Sequence, residues 1–198
     1  TAHPLELRQL VVDATVRGDA AETRVEHVFW NPSQEVLQGT FRFPLPDDAV
    51  LVGLAMEVEG GMVEGELVER EKPQRVYEQI VDGMRDPGLV EWEGGSVFKL
   101  RVFRIEPMAE KRVVIRYVAP LRQDPRKGWQ YVYPIGAETD LGAFRLTLDG
   151  EVRWDATSFP AEAEVAIDVP RERWPAHVQR EDTADATYTA VHVRPGWA

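Results

Sequence analysis

The chain has 198 residues, 43% of them apolar, with six tryptophans and no cysteine. That makeup excludes a disordered chain and is large enough for one sizeable core; the missing thiols exclude disulfides, thiolate metal sites and cysteine nucleophiles. A formal charge of −11, from 34 acids against 23 bases, argues against nucleic acid and against anionic lipid surfaces as partners.

Alternation with period two dominates the chain and predicts strands. Leu10, Val12, Ala14 and Val16 share one face of the first segment. Gly18-Asp19 reads as a hairpin turn into a second strand that ends at Asn31-Pro32. Val36–Phe43, Val52–Glu59 and Val63–Glu69 read as the third, fourth and fifth strands. The period then changes. Val76, Tyr77, Ile80, Val81 and Met84 fall on one helical face, with Pro73 in the first turn and Gly83 and Pro87 as stops. These spacings predict a single short α-helix over about residues 72–84.

Strands resume beyond Pro87. Phe98, Leu100 and Val102 alternate with Lys99 and Arg101 before the phase slips at Phe103, as a bulge would cause. Val113, Ile115 and Tyr117 face one way on the next strand. A loop at Asp124–Gly128 leads into four more strand-like stretches, and Phe144, Leu146 and Leu148 form the inward set of one of them. Ten or eleven strands with one helix predict a mainly β protein, an antiparallel β-sandwich-like domain. No apolar run reaches the roughly 18–20 residues of a membrane span, so no direct membrane insertion is expected. The chain starts at Thr1 and reads as a piece of a longer protein.

From Phe41 to Leu121 the chain resembles the VIT domain, the module shared by vault protein and the inter-alpha-trypsin inhibitor heavy chains. Four stretches carry the likeness in order: FRFPLPDDAVLVGLAMEVEG, GELVEREKPQRVYEQIVDG, DPGLVEWEGGSVFKLRVFRIEP and EKRVVIRYVAPL. The family-motif positions are Phe41, Phe43, Pro44, Leu45, Pro46, Tyr77, Phe98, Ile105, Pro107 and Tyr117, all structural. Asn31 fits the family's asparagine at the end of the second strand. The stretch DPGLVE resembles bacterial members. Pro73, Arg104 and Met108 depart from the pattern, the last standing where glycine usually follows the proline.

The resemblance implies a VIT domain over residues 1–121, with strands of 122–198 packing on or completing the same sandwich. It implies a non-enzymatic interaction module beside a von Willebrand type A adhesion domain. No D-x-S-x-S adhesion motif occurs in this chain, so that domain is expected downstream. The compartment stays open; relatives among bacteria favour the cell envelope or the exterior.

No residue set argues for chemistry. His3, His27, His177 and His192 form no metal-ligand spacing, and His27 reads as a surface or half-buried strand residue. Glu91 and Glu93 flank Trp92, but they sit on one strand and not on opposing walls of a cleft. Asp47 and Asp48 lack a calcium loop and read as turn residues. Glu64, Glu66, Glu69, Glu71, Arg70 and Lys72 read as a solvated charged run. No catalytic residue, cofactor or metal site is therefore expected. An alternative is a carbohydrate- or surface-binding sandwich that uses exposed tryptophans; Trp30 and Trp154 are expected in the core instead.

Overall fold

The computed structural model describes residues 5–58, 61–64, 76–78, 89–94, 97–135, 142–157, 164–170, 177–182 and 187–192. They form an antiparallel β-sandwich-like fold of sixteen strands. The largest sheet has seven: β1 (Glu6–Arg17), β2 (Ala20–Trp30), β4 (Val50–Val58), β5 (Gly61–Glu64), β9 (Glu110–Pro120), β12 (Ala143–Leu148) and β13 (Glu151–Ala156). Their spatial order is β13-β12-β1-β2-β9-β4-β5. A second sheet has the order β3-β8-β7-β6, built from β3 (Leu37–Pro44), β6 (Val76–Glu78), β7 (Leu89–Gly94) and β8 (Val97–Ile105). A third pairs β10 (Arg122–Asp124), β11 (Gly128–Pro134) and β14 (Glu164–Asp168), and β15 (His177–Asp182) and β16 (Thr187–His192) form a hairpin.

The alternation read from the sequence sets the inner face. Leu10, Val12 and Ala14 on β1 are buried, and so are Val113, Ile115 and Tyr117 on β9. Phe144, Leu146 and Leu148 on β12 join them. One core runs on to Phe43, Val102 and Ile105 of the second sheet and to Tyr131, Tyr133 and Val165 of the third. The predicted β1–β2 hairpin turns at Gly18, whose φ of 64° suits glycine. The β12–β13 hairpin turns on Asp149-Gly150, with φ of 53° and 81°, the backbone that two-residue hairpins favour.

Three features depart from the sequence reading. The ten or eleven expected strands become sixteen among the described residues, because three-residue strands such as β6 and β10 are too short to show a period. β12 lies parallel to β1, a pairing that local alternation cannot encode. No helix occurs among the described residues. Over Val76–Glu78, inside the predicted helix, the chain is the strand β6, with Tyr77 opposite Val90 of β7. A β-branched and an aromatic residue suit an extended pairing as well as a helical face. The rest of 72–84 lies outside the described residues.

The stretch Phe41–Asp48 shows how the second sheet meets the first. Phe43 and Leu45 are buried, whereas Asp47 is exposed. Pro44 closes β3, and Pro46 cannot donate to a ladder. The amide of Ala49 donates to the Pro46 carbonyl at 3.2 Å, and Asp48 takes a φ of 60°, so a tight turn leads into β4. In a denaturant melt, Phe43→Ala or Leu45→Ala should each cost about 2–5 kcal/mol. Asp47→Ala should cost less than about 1 kcal/mol; equal losses would contradict this division.

Candidate functional site

The end of β2 carries the most constrained polar group of the fold. Asn31 is fully buried. Its Nδ2 donates to the carbonyls of Glu35 at 2.8 Å, Ile105 at 3.0 Å and Glu106 at 3.1 Å. Two hydrogens serve three acceptors, so one is shared. Its Oδ1 accepts from the Ser33 amide at 2.9 Å, with Ser33 Oγ 2.7 Å away. The Asn31 amide donates to Ala109 O at 3.0 Å, and the Met108 amide to Ser33 O at 3.2 Å. One side chain thus ties the β2–β3 loop to the β8–β9 turn and joins the two main sheets at this corner. Of the motif residues, Ile105 is buried and supplies a carbonyl here, and Pro107 lies in the turn.

A second junction is aromatic. His27 of β2 meets Phe41 of β3 edge-on at 4.9 Å and lies 6.5 Å from Phe43 and 6.0 Å from Phe29. Phe29 meets Phe41 edge-on at 5.0 Å. Aromatic rings at these distances attract beyond their area burial. His27 is buried, not at the surface or half-exposed as the sequence reading had it. Phenylalanines from both sheets close over it, and alternation alone cannot tell a polar core residue from a surface one. Burial lowers its pKa to about 3, although the Val113 backbone opposes the shift. Its Nδ1 makes no hydrogen bond among the described residues. The imidazole is therefore a neutral packing element.

Tyr117 belongs to a third cluster, with Thr23, Tyr131 and Tyr133, all buried. The Thr23 and Tyr131 hydroxyls are 3.2 Å apart. Burial raises the Tyr131 phenol to about 12, and burial with the neighbouring Tyr131 and Tyr133 raises Tyr117 well above its usual range. These phenols stay neutral and lie away from solvent, which suits packing and not proton transfer. Phe98 pairs with Phe43 across the β3–β8 ladder, so it is placed by register.

The outer face of the seven-stranded sheet is charged. Arg24 and Arg116 stand opposite each other in register, a repulsive arrangement unless carboxylates answer it. Arg24 reaches Glu26 at 2.7 Å and Asp13 at 4.0 Å, and Arg116 reaches Glu64 at 3.0 Å. Arg116 crosses β4 over Gly53, where a Cβ would meet its Nε at 2.6 Å. Side chains this exposed contribute little to stability. The face is solvated, as the charged run predicts for Glu64; Glu66, Glu69, Arg70, Glu71 and Lys72 lie outside the described residues.

No group of three or more histidine, aspartate or glutamate side chains that would hold a metal occurs among the described residues. The β15–β16 ladder sets His177 opposite His192, which sequence reading did not find. Trp30 is half-buried and outside the core in which it was expected, and it stacks under Arg8, whose guanidinium carbon lies 3.7 Å from the ring centroid. Trp154 is 40% exposed on the edge strand β13 and not in the core as expected. Glu151 to Asp155 are all exposed, so this edge strand is covered on neither face. Among the described residues no helix is long and apolar enough to cross a membrane.

Two substitutions test these junctions. Asn31→Ala should cost about 2–4 kcal/mol, because it leaves buried backbone groups without partners. Asn31→Asp should cost at least as much at neutral pH, since an acceptor would then face three carbonyls. A loss under about 1 kcal/mol in urea melts would contradict the assigned role. For His27 the sign follows from its lowered pKa. The unfolded chain binds a proton below pH 6.5 and the folded chain only near pH 3, so stability is full above pH 6.5 and falls as pH drops towards 3. Between pH 7 and 5 the wild type should lose about 2 kcal/mol more than His27→Leu; parallel pH profiles would refute it.

Comparison with known proteins agrees with the fold. The family model described as the vault protein inter-alpha-trypsin domain matches residues 7–117, more than half of the chain. The mouse protein mono-ADP-ribosyltransferase PARP4 is 25% identical over 121 residues, covering 61% of this chain and 6% of that protein. Human von Willebrand factor A domain-containing protein 5A is 23% identical over 133 residues, covering 66% of this chain and 17% of that protein. The chain therefore spans a small part of the length of these relatives. An M1 zinc metallopeptidase from Deinococcus radiodurans superposes with a TM-score of 0.40 at 13% identity, over 73% of this chain and 32% of that one, too weak a likeness to bear on function. With its ordered motifs, its two tied sheets and the family match in agreement, the chain belongs to the vault protein inter-alpha-trypsin (VIT) domain family.

Proposed function

We infer that the chain is a non-enzymatic protein-interaction platform within a larger protein, next to a von Willebrand type A domain. The observation that carries this reading is the family match over residues 7–117 together with relatives many times longer, one of them named for a von Willebrand factor A domain. The site supports it in a second way. The buried polar groups with a clear role, Asn31 above all, fasten loops and sheets to one another. Residues 1–121 form the VIT unit on this reading, and 122–198 complete the sandwich. β12 as a neighbour of β1 and Tyr131 and Tyr133 in the common core support that division.

The carbohydrate-binding alternative has less behind it. Trp30 stacks on Arg8 and Trp129 packs against the core, so neither presents a bare ring to a sugar, whereas Trp154 is exposed on β13.

Chemical cross-linking of the intact parent protein, read by mass spectrometry, tests the interaction reading. Links are expected from Lys111 and Lys127 of this chain to a von Willebrand-type domain outside it. Absence of links to any other domain, or a turnover that is lost when a residue of this chain is changed, would contradict it.

A further inference from the structure

We propose that His177 and His192, which the ladder of the β15–β16 hairpin sets directly opposite each other, bind one divalent transition-metal ion of the copper, nickel or zinc class. The ion closes the open end of that hairpin. This inference is independent of the interaction-platform reading.

Register carries it. The ladder runs from Asp182 opposite Thr187 to His177 opposite His192. β15 begins at His177 and β16 ends at His192, so the two histidines are its last pair, at the end away from the turn. Directly opposite residues have Cβ atoms about 4.5–5.5 Å apart and share a face of the sheet. Two imidazoles at that spacing are within reach of one ion, which each nitrogen binds at about 2.0–2.1 Å. No local motif announces the pair, because the ladder and not the sequence spacing brings it together.

Alternation sorts the hairpin into two unlike faces. Val178 and Val191 pair on one of them, and the histidines share the other with Gln179 and Glu181. The histidines therefore stand on the polar face, opposite the apolar pair. The hairpin is also a sheet of only two strands among the described residues. Such a sheet is marginal by itself, and an ion that joins the entry of β15 to the exit of β16 supplies a cross-link where a third strand is missing.

The donor set selects the ion. Imidazole nitrogen suits copper, nickel and zinc, whereas calcium and magnesium take oxygen ligands. The chain has no cysteine to compete as a softer ligand. His27 is buried among Phe29, Phe41 and Phe43, so it does not compete either. Two protein ligands leave the other coordination positions to water, which makes the site exchangeable, unlike a closed four-ligand structural centre.

Titration calorimetry of the whole chain, free of any affinity tag, with copper, nickel or zinc chloride alone tests the site. One ion per chain is expected, with copper bound more tightly than zinc, and calcium should not displace it. His177→Ala and His192→Ala should each lower zinc affinity about a hundredfold, as when a two-point attachment becomes a one-point attachment. The double variant should lose little more, and His3→Ala should change nothing. A readout on the wild type guards against variants that lose the hairpin. Zinc should shift the imidazole NMR signals of His177 and His192 together, leave those of His27 in place, and slow amide exchange at Val178 and Val191. Zinc binding that survives either substitution, a shift at one histidine alone, or no binding at about 1 mM zinc would overturn the site.

Discussion

A buried primary amide with every hydrogen-bonding position filled is the constraint on which this fold depends. Asn31 sits where β2 stops, and its Nδ2 and Oδ1 together engage Ser33, Glu35, Ile105 and Glu106. Without it, two chain reversals would bury carbonyls and amides that have no ladder to join, at about 1–3 kcal/mol for each orphaned group. With it, the entry to β3 and the exit from β8 are held at fixed distance. Those two strands are neighbours in the second sheet, so one side chain sets how that sheet hangs from the first.

The aromatic junction of His27, Phe29, Phe41 and Phe43 then fills the space so defined. It works only with a neutral imidazole, which burial enforces down to about pH 3. The Tyr117, Tyr131 and Tyr133 phenols are kept neutral in the same way, by exclusion of water. These buried groups fill the joints between the sheets, while the arginine and glutamate side chains on the outer face of the large sheet and the edge strand β13 lie towards solvent.

Much of this was legible in the sequence, for reasons that differ by residue. The inward sets of β1, β9 and β12 follow from strict alternation, and Gly18-Asp19 from turn chemistry. Phe43 and Leu45 are core residues because two prolines leave that segment little else to do. The four ordered motifs point to the family. What the sequence hides is what depends on partners distant in the chain. The parallel pairing of β12 with β1 joins residues more than a hundred positions apart. His27 and Trp154 occupy strand positions whose burial is decided by what packs over them. Val76 and Tyr77 suit either period, and the ladder with β7 decides. Asn31 could be seen as a strand terminus, but not as a ligand of three carbonyls, since two of those lie across a fold of more than seventy residues. Met108, conspicuous as a departure from glycine, has its meaning only once φ is known.

Native-state amide hydrogen exchange at Asn31, Ser33 and Met108 tests the central claim most directly. These three amides donate into the network, although all three residues lie outside any strand. If the corner is the lock between the sheets, they exchange only as slowly as Val113 and Ile115 in the middle of β9, through global unfolding. If they exchange at the rates of ordinary surface loops while β9 remains protected, the two sheets are not held there, and the account of a preorganised corner is wrong.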